Sequence, residues 1–374
     1  MVLFSLAVIP TEKLPFRLLL FHRTKIEYTE SHQNMLYTEG NARMSEFQRE
    51  NRRRTRRYVI VFACLFFVLL LIFYANVSVG TVALRADLVS QTILWRIRLP
   101  RVCLAMILGG ALALSGFLLQ TFFENPIAGP YILGISSGAK LTVMLSMLLT
   151  LTRLRTTSAA INVVAAFIGA LLSTGFILLI SKRVQHMASI LIGGIMIGYV
   201  ASAITDFLIT FAEDADIVNL HGWSLGSFSG ADWQDVRVSL AVVGVTMALI
   251  FAMSKQIGAF RLGEGYARSL GVDVRRFRTI LILLSSILSA TVTAFAGPIS
   301  FVGVAAPYIM RRLLRTSEPR VLIPAAFLGG AAFTAACDLL ARTWLSPTEL
   351  NISTVTSLIG APVVIWMLLQ ERGR

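Results

Sequence analysis

The stretch Gly134-Ile135-Ser136-Ser137-Gly138-Ala139-Lys140 carries the glycines and the lysine of a phosphate-binding loop. Its spacing is too short, and Leu141 stands where a hydroxyl residue would ligand magnesium, so the glycines read as a tight or broken helix entry. No HExxH, CxxC or G-x-S-x-G motif accompanies it, and no helix carries paired carboxylates. The cysteines, Cys64, Cys103 and Cys337, all fall inside apolar runs, which argues against a disulfide framework or a thiolate metal site. The reading is no catalytic residue, no metal site and no cofactor. Without a nucleotide site, any energy from ATP has to come from another subunit.

Ionisable residues inside apolar segments are functional candidates because burying charge in lipid is costly. Asp206 and Lys140 are two. Asp338 and Arg342 stand four apart on one predicted helix, the spacing of a local salt bridge. No ladder of carboxylates crosses the chain, which counts against a proton-coupled secondary transporter. Prolines interrupt apolar segments at Asn125-Pro126, Gly129-Pro130, Gly297-Pro298, Ala306-Pro307 and Ala361-Pro362. Such breaks are tolerated at membrane depth where the backbone is buried in protein or lines a cavity.

The elements that must hold these residues are apolar. Of 374 residues 56% are hydrophobic and 14% charged, which excludes an ordinary water-soluble enzyme and a disordered chain. From Tyr58 onward, runs of roughly 17–25 apolar residues match the ~30 Å of a bilayer core. About ten are present, near 58–75, 102–120, 133–152, 158–181, 188–211, 235–253, 279–297, 300–316, 321–343 and 353–370. They do not alternate apolar and polar residues as barrel strands would, so the predicted fold is an all-α polytopic membrane protein.

A net charge of +14 would suggest nucleic acid as a partner in a soluble protein. Here it follows the positive-inside rule. With Arg52, Arg53, Arg54, Arg56 and Arg57 placed in the cytoplasm, about 19 bases fall inside and about 8 outside. Both termini are then cytoplasmic and no nucleic-acid partner is called for. Residues 1–57 form an N-terminal extension expected to be poorly ordered, and 58–374 the transmembrane domain. The connector EDADIVNLHGWSLGSFSGADWQD is an acidic outer loop; KQIGAFRLGEGYARSLGVDVRRFRT is a basic inner one with helical spacing around Tyr266, Leu270 and Val274. Spans two to five and seven to ten would start on opposite sides of the membrane, the parity of an inverted repeat.

Several long segments then become familiar. RIRLPRVCLAMILGGALALSGFLLQTFFENPIAGPYILGISSGA, WSLGSFSGADW, GEGYARSLGVDVRRFR and AGPISFVGVAAPYIMRRL, followed by DLLARTW and TVTSLIGAPVVIWMLL, closely resemble the FecCD permeases, from about residue 58 to the C-terminus. These are membrane subunits of ABC importers for iron-siderophores, haem and cobalamin. The resemblance implies the type II importer permease architecture in a bacterial cell membrane. It also implies a second, identical or paralogous, permease subunit, a cytoplasmic ATPase dimer and an extracytoplasmic binding protein.

By motif, the resemblance assigns Arg98 and Arg101 (RLPR) and Arg342 (DLLAR) to docking of the binding protein. Asn125 and Ile127 (FENPIA) fall in the cytoplasmic gate, with Met187 and Ala188 as its other lip. Glu264, Ala267, Arg268, Leu270 and Gly271 fall in the segment that couples to the ATPase. Tyr308 stands where a histidine is usual and Asn351 where a proline is usual. The expected function is uptake of an iron chelate, a ferric siderophore first and haem or cobalamin next. A stand-alone secondary transporter and a membrane-embedded enzyme are the alternatives.

Overall fold

The computed structural model describes residues 16–80, 88–153, 159–184, 187–346 and 348–371, which are helices joined by turns with no strand among them. The chain divides into two compact units, Met1–Ile60 and Val61–Arg374. In the first, the extension is helical from Phe16 on, as the beginning of α1 (Phe16–Ser78), and Arg54 pairs with Glu50 one turn away at 2.6 Å. Residues 1–15, and the basic C-terminal pair Arg372 and Arg374, lie outside the described residues.

The second unit continues α1 and adds α2 (Leu88–Ile93), a π turn (Leu94–Arg98), α3 (Leu99–Phe122), a 3-10 turn (Pro130–Leu133), α4 (Ile135–Arg153), α5 (Ala159–Arg183) and α6 (Met187–Ile209). Then come α7 (Asp214–Ser224), α8 (Trp233–Ala252), α9 (Ser254–Phe260), α10 (Glu264–Ser269), α11 (Val274–Ala296), α12 (Val302–Leu314), α13 (Pro319–Thr343) and α14 (Ile352–Glu371). Each of the ten expected spans coincides with a helix. Eight are long and apolar enough to cross a membrane. The other two are α4, whose described apolar stretch is Ile135–Leu149, and α12, whose 13 residues reach only about 20 Å.

Between helices in lipid there is no hydrophobic difference to exploit, so association depends on close packing and interhelical hydrogen bonds. α3 supplies both and is the most enclosed helix. A Cβ on Gly109 would sit 2.6 Å from the carbonyl oxygen of Gly330 on α13, and one on Gly116 would sit 1.7 Å from that of Gly303 on α12. Backbone therefore touches backbone along α3. On another side, the Ser115 hydroxyl lies 2.8 Å from that of Ser285 and 2.6 Å from that of Ser289, both on α11. α4, α5 and α6 pack as a second group against α11 and the 3-10 turn.

The short α12 has a physical cause. Pro298 has no N–H, and Phe301 takes a left-handed φ of 62°, so the helix cannot begin before Val302. The freed backbone groups are satisfied locally. The Ile299 N–H donates to the Tyr131 hydroxyl (2.8 Å), the Ser227 N–H to the Ala296 carbonyl (2.9 Å), and the Ser353 hydroxyl to the Pro298 carbonyl (2.5 Å). Tyr131 itself sits in the 3-10 turn that opens the Gly134 helix entry, so the two breaks in the chain brace each other.

Candidate functional site

At the N-terminal end of α3, Arg98 and Arg101 are three apart and share a face, across from the C-terminal end of the antiparallel α13 with Asp338 and Arg342. Arg101 grips Asp338 with two nitrogens. Its Nε donates to both carboxylate oxygens at 3.1 Å and its Nη2 to Oδ1 at 2.9 Å. Its Nη1 donates to Glu349 at 3.1 and 3.2 Å. Arg101 is 8% exposed and Asp338 1%, so this is a buried, charge-assisted pair of the strong kind.

The local Asp338–Arg342 bridge read from the sequence is corrected here, because the carboxylate's hydrogen bonds go to α3. Arg342 turns to α1 instead, and its Nη2 donates to the Asn76 carbonyl and to Asn76 Oδ1 (3.0 Å). Asn76 in turn donates to the carbonyls of Ile72 (2.9 Å) and Ala335 (3.1 Å). Arg342 Nε is buried without a hydrogen-bond partner. Arg98 Nη1 donates to the carbonyls of Val77 (2.7 Å) and Ser78 (3.1 Å), and its guanidinium lies so close to Gly80 that a Cβ there would sit 2.6 Å from it.

The three arginines, Glu349 and Gly80 line a cavity of about 180 Å³. Three guanidinium groups face two carboxylates, an excess of one positive charge suited to receiving an anionic group. Nearby, the Trp233 indole N–H donates to the Trp95 carbonyl (2.7 Å), and Trp95 and Trp344 are exposed, as befits a membrane interface. Glu349 and Asn76 were missed in the sequence. Neither carries a local signal, since each acts on a partner more than 240 residues away.

The connector after α6 was expected to be a loop and instead contains α7. Asp214 and Asp216 lie in its first turn, where carboxylates favour a helix N-terminus. Asp216 is 5% exposed with Oδ2 unpartnered, and burial, then Glu213, raises its carboxyl above the usual range.

At the other end of α3, Asn125 Oδ1 accepts the Ile127 N–H (3.0 Å), an Asx turn that follows Glu124 at φ 49°. Ile127 is half exposed beside a cavity of about 190 Å³ shared with Tyr131, Phe301 and Val364. Met187 begins α6; its side chain lies outside the described residues, and Ala188 is exposed. Among the described residues no hydrogen bond joins Asn125 or Ile127 to Ala188.

The same end carries the α9–α10 connector. Gly271 at φ 82° closes α10, with its N–H on the Arg268 carbonyl and that of Val272 on the Ala267 carbonyl, both at 3.0 Å, a Schellman-type stop. Ala267 is fully buried and pins the helix down. Leu262, Tyr266 and Leu270, spaced by four, form an exposed apolar ridge. Glu264 pairs with Arg268 (3.6 Å) and with Arg278 of α11. Arg261 donates to the Ser317 carbonyl; burial, assisted by Arg311, pushes its pKa down to about 10. The five residues that the sequence resemblance assigned to coupling thus lie on one short connector, with the side chains of Leu270 and Arg268 exposed. Among the described residues no three His, Cys, Asp or Glu side chains cluster as metal ligands.

Residues 60–370 match the model of the FecCD transport family. The chain is 37% identical over 284 residues to the vitamin B12 import system permease protein BtuC of Klebsiella pneumoniae subsp. pneumoniae, covering 76% of this chain and 84% of that one. It is 33% identical over 329 residues to the hemin transport system permease protein HmuU of Yersinia pestis, covering 86% and 98%. Among solved structures, an inward-facing conformation of a metal-chelate type ABC transporter superposes with a TM-score of 0.76 at 27% identity, covering 83% of this chain and 99% of that one.

Proposed function

The chain belongs to the FecCD transport family, and from that membership we propose that it imports an iron chelate, a ferric siderophore first, delivered by an extracytoplasmic binding protein. It is a multi-pass membrane permease of the metal-chelate, vitamin B12 and haem class of ABC importers, a transport subunit and not an enzyme. Two such permeases enclose the pathway, and a pair of ATPases drives it. ATP binding and hydrolysis act by favouring one of two conformations, which requires contacts that differ between them.

The observation that carries this reading is the opposite character of the two ends of α3. One end gathers Arg98, Arg101 and Arg342 around a small cavity, a receptor for carboxylates of a binding protein, and so is assigned to the extracytoplasmic side. The other presents the α10 ridge beside basic residues, a seat for an ATPase cleft, and is assigned to the cytoplasm with both termini. The Asn125–Ile127 turn, close to that ridge in the fold, is assigned to the inner gate, with the start of α6 in the second lip. The lipid bilayer covers the apolar flanks.

Growth under iron limitation on single chelators, with and without the gene, tests the cargo. Loss of growth on one or more ferric siderophores is expected. Unaltered growth on every iron chelate together with lost uptake of cobalamin would replace iron by corrinoid as the cargo.

A further inference from the structure

Arg101 has no vacant nitrogen: Nε and Nη2 hold Asp338, and Nη1 holds Glu349. Each terminal nitrogen still carries two N–H groups, but a partner's carboxylate that is to hold Nη1 competes with Glu349, and one that is to hold Nε competes with Asp338. The two are not equally replaceable. The Asp338 side chain is 2% exposed and bound through two nitrogens, whereas that of Glu349 is 43% exposed and bound through one. Glu349 also stands in a short segment between α13 and α14, beside the Leu350 N–H that anchors it to the Ala341 carbonyl (2.8 Å). That anchor lets the Glu349 side chain swing while the backbone stays in place.

We infer that Glu349 is an internal occupant of the docking site, holding Arg101 Nη1 until a carboxylate of the binding protein takes its place. The inference rests on the docking role proposed for Arg98, Arg101 and Arg342. Under it, undocked permease keeps Arg101 in one rotamer and holds its cavity to an excess of one positive charge. Docking becomes an exchange of one carboxylate for another, which lowers affinity and favours release of the binding protein after delivery. The net gain on docking then comes from Arg98 and Arg342 more than from Arg101.

The test is binding of the purified binding protein to the complete transporter, permease pair with ATPases, in lipid nanodiscs. Glu349→Gln keeps the shape and removes the charge, and should tighten binding about two- to fivefold, the scale of a half-exposed ion pair. The gain should vanish when Arg101→Lys is added, since Lys offers no fork for Glu349 to block. Unchanged or weaker binding of E349Q, with Arg98→Gln and R101K still weakening it, overturns the exchange and makes Glu349 a support for Arg101. If R98Q and R101K leave binding as it was, the docking reading itself fails. Thermal melting of each variant separates these outcomes from misfolding, and Glu349→Ala, expected to tighten binding as E349Q does, repeats the test without a side-chain amide.

Discussion

Asp338 forms its two-nitrogen ion pair with Arg101, 237 residues away on α3, and not with Arg342, one turn along its own helix. The pairing crosslinks the ends of the two most tightly apposed helices. It also frees Arg342 to hold α1 through Asn76.

Removing Asp338 leaves a buried guanidinium without its main counter-charge. Asp338→Ala should destabilise the permease by about 3–5 kcal/mol. The drop should appear as a lower melting temperature in detergent, whereas the paired change Arg101→Met with Asp338→Leu should recover most of it. A single variant that melts like the parent would show that the pair contributes nothing.

Charge reversal at the three arginines addresses docking. Arg98→Glu, Arg101→Glu and Arg342→Glu should each weaken capture of the binding protein by roughly tenfold or more, the scale of lost charge complementarity. Co-purification of the ATPase reports that the other end of the fold is intact. Binding-protein capture at the parental level in all three would remove these residues from the interface.

The ridge on α10 makes the opposite prediction about stability. Leu270 and Arg268 are exposed, so Leu270→Ala and Arg268→Ala should shift stability by no more than about 0.5 kcal/mol. Both should nevertheless reduce ATPase co-purification or ATP-driven uptake. Normal coupled uptake in both variants would contradict the assignment.

Gly116 tests the helix packing. Any side chain there meets the Gly303 backbone, which cannot move aside as a flexible side chain would. Gly116→Val should cost at least about 1–3 kcal/mol and reduce the yield of folded protein. Gly175, whose Cβ would meet nothing within 4 Å, is the control position, and Gly175→Ala should be tolerated.

Asp216 gives a pH signature. Its folded-state pKa is raised, so it contributes stability while protonated, and that contribution is lost as pH rises through the raised value. Asp216→Asn should therefore flatten the decline in melting temperature as pH rises above the ordinary aspartate range. Parallel profiles for the two proteins would rule out a buried carboxyl at this position.

Much of the architecture was legible because length and hydropathy are local properties. Ten apolar runs gave ten helices, and the GE..ARSLG segment gave a short helix bounded by glycines. Where contacts between distant segments decide the outcome, the sequence was silent. Asp338 obeyed the spacing rule for a local pair, yet antiparallel packing of α3 brought a better-placed guanidinium to it. α12 came out shorter than its apolar run because its start is set by Phe301 and by a hydrogen bond from Ile299 to Tyr131, 168 residues away. α7 escaped notice because its 11 residues, DADIVNLHGWS, scatter apolar and polar side chains around the helix and show no apolar stripe.

The backbone contacts along α3 carry a mechanical meaning. Helices that touch through side chains can slide by rotamer changes; helices that touch through Gly109, Gly330, Gly116 and Gly303 have no such slack. α3, α12 and the middle of α13 are therefore expected to move as a single stiff shaft. Any opening and closing of a pathway must then be produced by parts hung on that shaft, and the joints to look for lie in the loops that attach them.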